Sequence, residues 1–262
     1  EKSRERRKVF ASHPEHYSGG KFHNSPPLLS HVCPAARCFD AYVLLQIGHI
    51  YAIIKAQQKS AAVLRELPHF CITVGQRGHP DAYPISTFFC VGDWAEKYPE
   101  SVKALHDAGH EVMSHSNHHD HYNSLSTQQI IDDVTASNER ISAVTGVTPT
   151  LIRCPYGEYD DHVIAAIRSM GMEPIQWDVD SLDWKDYDAD TICRRVTSKV
   201  QPGSIVLFHN AALHTPEALP AILDCLINDG YTVVPISQLI LDPPYTIDHT
   251  GRQFPAETVS TT

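Results

Sequence analysis

His115 and His119 stand four residues apart in the run His115-Ser116-Asn117-His118-His119. That spacing can bring two imidazoles to one point as ligands of a divalent metal. Three further groups carry side chains that handle protons and charge. Arg153-Cys154-Pro155-Tyr156-Gly157 supplies a guanidinium at a turn. Asp180-Ser181-Leu182-Asp183-Trp184 supplies carboxylates beside an indole, and Leu207-Phe208-His209 ends an apolar run on an imidazole. Each group alone has an ordinary alternative. His118, His119 and His121 could belong to a His-rich surface loop, and Arg153 could sit on an exposed turn. Asp183 could be structural, and His209 could be a hydrogen-bonded core histidine. The weight lies in their convergence, because each group follows directly on an apolar segment of strand type.

Those segments belong to a regular alternation. Strands are expected at 85–91, 110–114, 151–154, 174–179, 204–208 and 231–235, with helices between them at 96–108, 127–144, 161–170, 188–200 and 217–228. Four of the helices run into Gly109, Gly146, Gly171 and Gly230, the residue best suited to a left-handed helix terminus. Ser126 with Gln129 has the spacing of a capping box. Short apolar strands separated by helices indicate βα units around a parallel sheet or barrel. In such folds the functional residues gather at the carboxyl ends of the strands, where all four groups stand.

Bulk properties narrow the partners. A chain of 262 residues with 42% hydrophobic and 20% charged residues can bury a full core. Its net charge of −10 argues against nucleic acid, which needs a basic surface. Seven scattered cysteines without a CxxC pair define neither a disulfide framework nor a structural zinc cluster. No stable membrane span is expected. The best apolar stretch, 42–54, is short and interrupted by Gln46, Gly48 and His49, and its flanks do not form an intact signal peptide. Residues 1–80 open on a basic run and show little periodicity, so they read as an atypical N-terminal region, with a domain over 81–240 and a C-terminal extension over 241–262.

Taken in order, the motifs resemble those of the polysaccharide deacetylases of carbohydrate esterase family 4, the bacterial NodB-homology domain. The string 115–119 fits its H-[ST]-x-x-H motif and 153–157 its R-x-P-[YF]-G. Residues 180–184 fit its fourth motif and 207–209 its L-x-H, while Thr87-Phe88-Phe89-Cys90-Val91-Gly92 matches an earlier strand. The segment 245–253 is similar to the C-terminal extension of bacterial members. The resemblance implies a distorted (β/α) barrel that hydrolyses acetamide groups on N-acetylated glycan such as peptidoglycan or chitin-like polymer. It implies Zn2+, or another divalent ion such as Co2+, held by His115, His119 and one Asp. His209 would be the general acid, and Arg153 and Asp183 would tune the catalytic groups. The backbone N–H of Tyr156 would face the oxyanion, with Leu207 and Trp184 around the acetyl methyl group. It also implies a monomer working outside the cytoplasm or at the cell envelope. O-acetyl xylan esterases share the same motifs.

One motif is absent. The family's T-F-D-D-G-P, on the first barrel strand, supplies the general base and the third metal ligand, and the string occurs nowhere in this chain. Family spacing points to 63–68, where the two Asp positions read Arg65 and Glu66. Three explanations stand: an N-terminal region out of its ancestral reading frame, a diverged homologue without activity, or an active variant using Glu66 or Asp40. The change in composition near Asp81 favours the first. The third metal ligand stays unassigned, with Glu66 as a candidate.

Overall fold

A computed structural model describes the backbone of residues 69–75 and, in full, residues 85–210 and 212–256. These residues fall into two compact units, one ending at Leu239 and one beginning at Ile240. The first is an α/β structure. Its strands are β1 (His69–Gly75), β2 (Thr87–Cys90), β3 (Glu111–Ser114), β4 (Leu151–Ile152), β5 (Glu173–Pro174), β6 (Val179–Asp180), β7 (Ile205–Phe208) and β8 (Thr232–Val234). Its helices are α1 (Gly92–Lys97), α2 (Pro99–Asp107), α3 (Thr127–Thr145), α4 (Asp161–Ser169), α5 (Ala189–Thr197), α6 (Thr215–Asn228) and α7 (Ile236–Leu239).

The strands form one sheet in the order β5-β4-β3-β2-β1-β7-β6, with β8 also pairing β1. Neighbours from β2 to β5 are parallel, as are β6 and β7. β1 is antiparallel to β2, β7 and β8. It joins the two parallel halves while running against both, and it arises from a region where the sequence places no strand. The sheet is also curled. Only residues 175–178 connect β5 to β6, so those edge strands lie within about 18 Å of each other. Laid flat, the six steps between them would span about 29 Å.

Two expected elements are divided. The helix expected over 96–108 is two helices, because Pro99 disfavours helical backbone at Tyr98 (φ −130°, ψ 58°) and opens a new helix itself. The strand expected over 174–179 is the two short strands β5 and β6. Between them Asp178 accepts hydrogen bonds from Ser204 Oγ (2.9 Å) and Ile205 N (2.7 Å), which ties the chain to the β7 half.

Local signals elsewhere act as expected. Ser126 and Gln129 form a reciprocal capping box on α3, and Gly146 ends that helix at φ 72°. Asp160 and Asp188 cap α4 and α5. The apolar faces of these helices bury two clusters. The larger holds Phe88, Val206 and Phe208 from the strands against Leu105, Ile192 and Ile222 from the helices. The smaller holds Tyr122, Ile130, Val134, Ile152 and Ile167. Each such aliphatic side chain contributes about 1.5–3 kcal/mol on burial. The loops beyond the strand ends are thus anchored on a packed base. The second unit contains a hairpin of β9 (Tyr245–Ile247) and β10 (Gln253–Pro255), whose turn is organised by Asp248 accepting from the Thr250 and Arg252 amides.

Candidate active site

β3 delivers His115 directly. The His115 amide donates to the Cys90 carbonyl at 2.8 Å, and the Gly92 and Asp93 amides donate back to the Ser116 and Asn117 carbonyls. The loop after β3 therefore lies against the turn after β2. Gly92 is required there, since a Cβ would stand 2.2 Å from Asn117 Oδ1 and 2.9 Å from Ser137 Cα. Ser116 (φ 71°) and His119 (φ 62°) both take left-handed backbone, which is unfavourable for residues with a Cβ. Compensating bonds hold them. Ser116 Oγ accepts from the His119 amide at 2.8 Å. The carboxylate of Asp133 on α3 accepts from the Asn117 amide (2.9 Å), the His118 amide (3.2 Å) and the Tyr122 hydroxyl (2.6 Å).

His115 is buried, and its Nδ1–H donates to the Arg153 carbonyl at 2.7 Å. That bond selects the tautomer whose lone pair is on Nε2. Burial pushes its pKa down to about 3, with repulsion from His119, Arg153 and His209 adding to the effect. Burial lowers His119 as well. The two rings lie 4.9 Å apart at 73°. Two neutral imidazoles, one oriented by a backbone acceptor, are the donor chemistry a zinc-type ion takes. They fall short of the three protein ligands of a catalytic zinc site. Among the described residues no group of three His, Cys, Asp or Glu could hold a metal. Glu66 and Asp40 lie outside the described residues, and the seven residues of β1, His-Phe-Cys-Ile-Thr-Val-Gly, include no carboxylate.

Arg153 follows β4 and is only 1% exposed. Its guanidinium donates to the Ile175 (3.3 Å) and Gln176 (3.2 Å) carbonyls and lies 4.3 Å above the Phe89 ring. Tyr156, in a 3-10 turn at φ 58°, is exposed and lies 4.6 Å from His119, ring to ring.

On the β7 side Asp183 is fully enclosed. It accepts from the His209 amide at 3.0 Å, from His209 Nδ1 at 2.8 Å and from Thr215 Oγ1 at 2.6 Å. The Nδ1–H···carboxylate bond directs the Nε2 of His209 to proton exchange. Trp184, exposed, stands 6.3 Å from the His209 ring, whereas Leu207 is buried. β3, β4 and β7 run in the same sense within one sheet, so the groups that follow them stand at one end of it.

The structure thus gathers His115, His119, Arg153 and Tyr156 on one side and Asp183, Trp184 and His209 on the other. Sequence reasoning missed Asp133 and Thr215. A signal existed for the first: Asp133 falls among the buried positions Ile130, Val134, Ser137 and Ile141 of α3, where a carboxylate needs donors.

Comparison with known proteins agrees with this geometry. The polysaccharide deacetylase family model matches residues 85–175. The peptidoglycan-N-acetylmuramic acid deacetylase PdaC of Bacillus subtilis is 33% identical over 59% of this chain and 32% of its own length. The peptidoglycan-N-acetylglucosamine deacetylase PgdA of Listeria monocytogenes is 34% identical over the same shares. The chain therefore spans about a third of the length of these curated relatives. Among solved structures, BA3943, a CE4 family pseudoenzyme from Bacillus anthracis, superimposes with a TM-score of 0.59 at 28% identity, over 76% of this chain and 62% of its own. By the motifs at the strand ends, the sheet that carries them and these likenesses, the chain is similar to the polysaccharide deacetylases of carbohydrate esterase family 4, with the family model matching residues 85–175.

Proposed function

We propose that the domain removes acetyl groups from N-acetylated cell-wall glycan, of the peptidoglycan or chitin type, and so works outside the cytoplasm. The observation that carries this reading is the placement of the His115–His119 imidazole pair and the hydrogen-bonded Asp183–His209 pair at the same end of one sheet. The curated relatives, named as peptidoglycan deacetylases, support the substrate class. A divalent ion on the two imidazoles, zinc or cobalt, would polarise the acetamide carbonyl and lower the pKa of a water.

The chain's own groups supply the rest. Asp183 holds His209 by its Nδ1–H, so that Nε2 delivers a proton to the departing amine. The Tyr156 backbone N–H serves as an oxyanion donor. Arg153 steadies the carbonyls of Ile175 and Gln176 and, through its own carbonyl, the His115 ring. Trp184 and Leu207 border the slot for the acetyl methyl group. Glu66 remains the candidate for the third ligand.

A second reading has its own support. The chain lacks T-F-D-D-G-P, and β1 has no carboxylate. A solved relative is described as a pseudoenzyme, with a mutant of it showing restored enzymatic activity. On this reading the domain retains glycan without turnover. Acetate release from N-acetylglucosamine oligomers, peptidoglycan fragments and acetylated xylan, with zinc or cobalt added, separates the readings. Release from the first two that is lost in His209→Ala supports deacetylation, and release confined to xylan supports an O-acetyl esterase. Binding with no release under any metal sinks the catalytic reading for this chain.

A further inference from the structure

Two cysteines that the deacetylation chemistry leaves unused stand on neighbouring helices. Cys193, on α5, and Cys225, on α6, are free and half-buried. Both helices return from strands of one sense, β6 and β7, so they run side by side in the same direction and pack directly together. Cys193 lies four residues before the last of α5, Thr197, and Cys225 three before the last of α6, Asn228, which brings them to similar heights. Their flanks also match. Cys193 follows the buried Ile192 and precedes the buried Val196 by three, whereas Cys225 follows the buried Ile222 by three and directly precedes the buried Leu226. At helical spacing those positions fall on opposite flanks of the buried stripe, and parallel neighbours turn opposite flanks toward each other. Cys193 packs against the cluster that holds the buried stripes of both helices. Repulsion from Cys193 helps to raise the Cys225 thiol, in keeping with this placement.

A single half-buried cysteine on a helix flank is an ordinary small apolar residue. Two across one seam can be joined. Packed helix axes stand about 8–10 Å apart with Cα atoms about 2.3 Å off each axis, so residues facing across the seam come within the roughly 4.4–6.8 Å that a disulfide spans. We propose that Cys193 and Cys225 form a reversible disulfide that locks α5 to α6. The oxidant is a small disulfide. One cysteine loses its proton and attacks a sulfur of the reagent, which releases one small thiolate and leaves a mixed disulfide. The second cysteine loses its proton and displaces the remaining half. The protein gives up two protons and two electrons, and the reagent leaves as two thiols. Burial raises both cysteine thiols, with Asp190 adding to the effect at Cys193 and Asp229 at Cys225, so closure is slow near neutral pH and quickens as pH rises. The bond closes residues 193–225 into a loop that contains β7, His209 and Thr215. It therefore restrains the strand that presents His209, whatever substrate the site takes.

To test this, the full chain is incubated with glutathione disulfide at about pH 8.5, near the ordinary thiol pKa, then alkylated and digested with trypsin. Mass spectrometry is expected to find peptides 186–194 and 200–252 joined, about 2 Da below their summed mass. The oxidised chain melts about 5–10 °C higher than the same chain in dithiothreitol, the shift expected for closing a loop of this length in a domain of this size. Cys193→Ser and Cys225→Ser each lose the joined peptides and the shift, with circular dichroism verifying that both variants fold. The peptide map of the wild-type chain decides the matter even if a variant does not fold. Thiols that stay unreacted or keep glutathione, either cysteine joined to a different partner, or a joined pair with an unchanged melting midpoint overturns the proposal.

Discussion

Asp183 is the residue whose removal the structure prices most directly. Its side chain is wholly enclosed and receives three donors: the His209 amide, the His209 ring Nδ1–H and the Thr215 hydroxyl. Asp183→Ala leaves all three facing a void. A buried donor without an acceptor costs about 1–3 kcal/mol, and breaking a buried charged pair costs about 3–5 kcal/mol. A loss of about 3–5 kcal/mol is expected, since the Thr215 hydroxyl can turn to another acceptor. Asp183→Asn retains the shape and one acceptor oxygen while its amide confronts a donor, for about 1–3 kcal/mol. Thr215→Val removes one donor and costs about 1–2 kcal/mol. Urea unfolding at constant m measures the series, and the two milder variants keep it measurable if the alanine variant does not fold. Equal losses for Ala and Asn, or an alanine variant within about 1 kcal/mol of wild type, would refute the view that this carboxylate organises the end of β7.

Other expectations follow from the same contacts. Gly92→Ala drives a methyl group into Asn117 Oδ1 and the Ser137 backbone, so it lowers stability by about 1–3 kcal/mol in thermal melts and loosens the loop bearing His119. Asp133→Ala frees the Asn117 and His118 amides and raises hydrogen exchange across 116–122, while Asp133→Asn does so less. For His115, burial lowers the folded pKa from 6.5 to about 3, so the unfolded chain takes up a proton that the folded one refuses. In metal-free protein stability therefore falls as pH drops from about 6.5 towards about 3, by at most about 1.4 kcal/mol per pH unit. His115→Asn flattens that window in urea titrations. Burial raises the thiols of Cys90 and Cys154, the latter to about 12, so both react with a thiol reagent far more slowly in the folded chain than in urea.

Much of the frame was legible because its signals are local. The capping box at Ser126, the glycine that ends α3 and the apolar periods of α3 to α6 each depend on residues within a turn or two. The break at Tyr98–Pro99 was equally local, and the restriction proline places on its predecessor could have revealed it. β1 is a different case. Phe70, Ile72, Thr73 and Val74 have strand composition, but nothing in seven residues states which neighbours they pair with or in which direction. The division of 174–179 escaped for a related reason, because Asp178 is drawn to β7 by partners more than 25 residues away.

For the candidate site, the order and spacing of residue types placed His115, Arg153 and His209 directly after strands, where β3, β4 and β7 end. The resemblance to the family is therefore carried by short strings. The tertiary structure alone decided which atoms meet. The Arg153 carbonyl orients His115 across 38 positions, Asp183 grips His209 across 26, and Asp133 braces a loop from a neighbouring helix. It also set the direction of β1, the strand between β2 and β7, whose residues include no carboxylate. Such contacts depend on strand pairing and register, which are properties of the whole sheet, whereas a motif is a property of five consecutive residues.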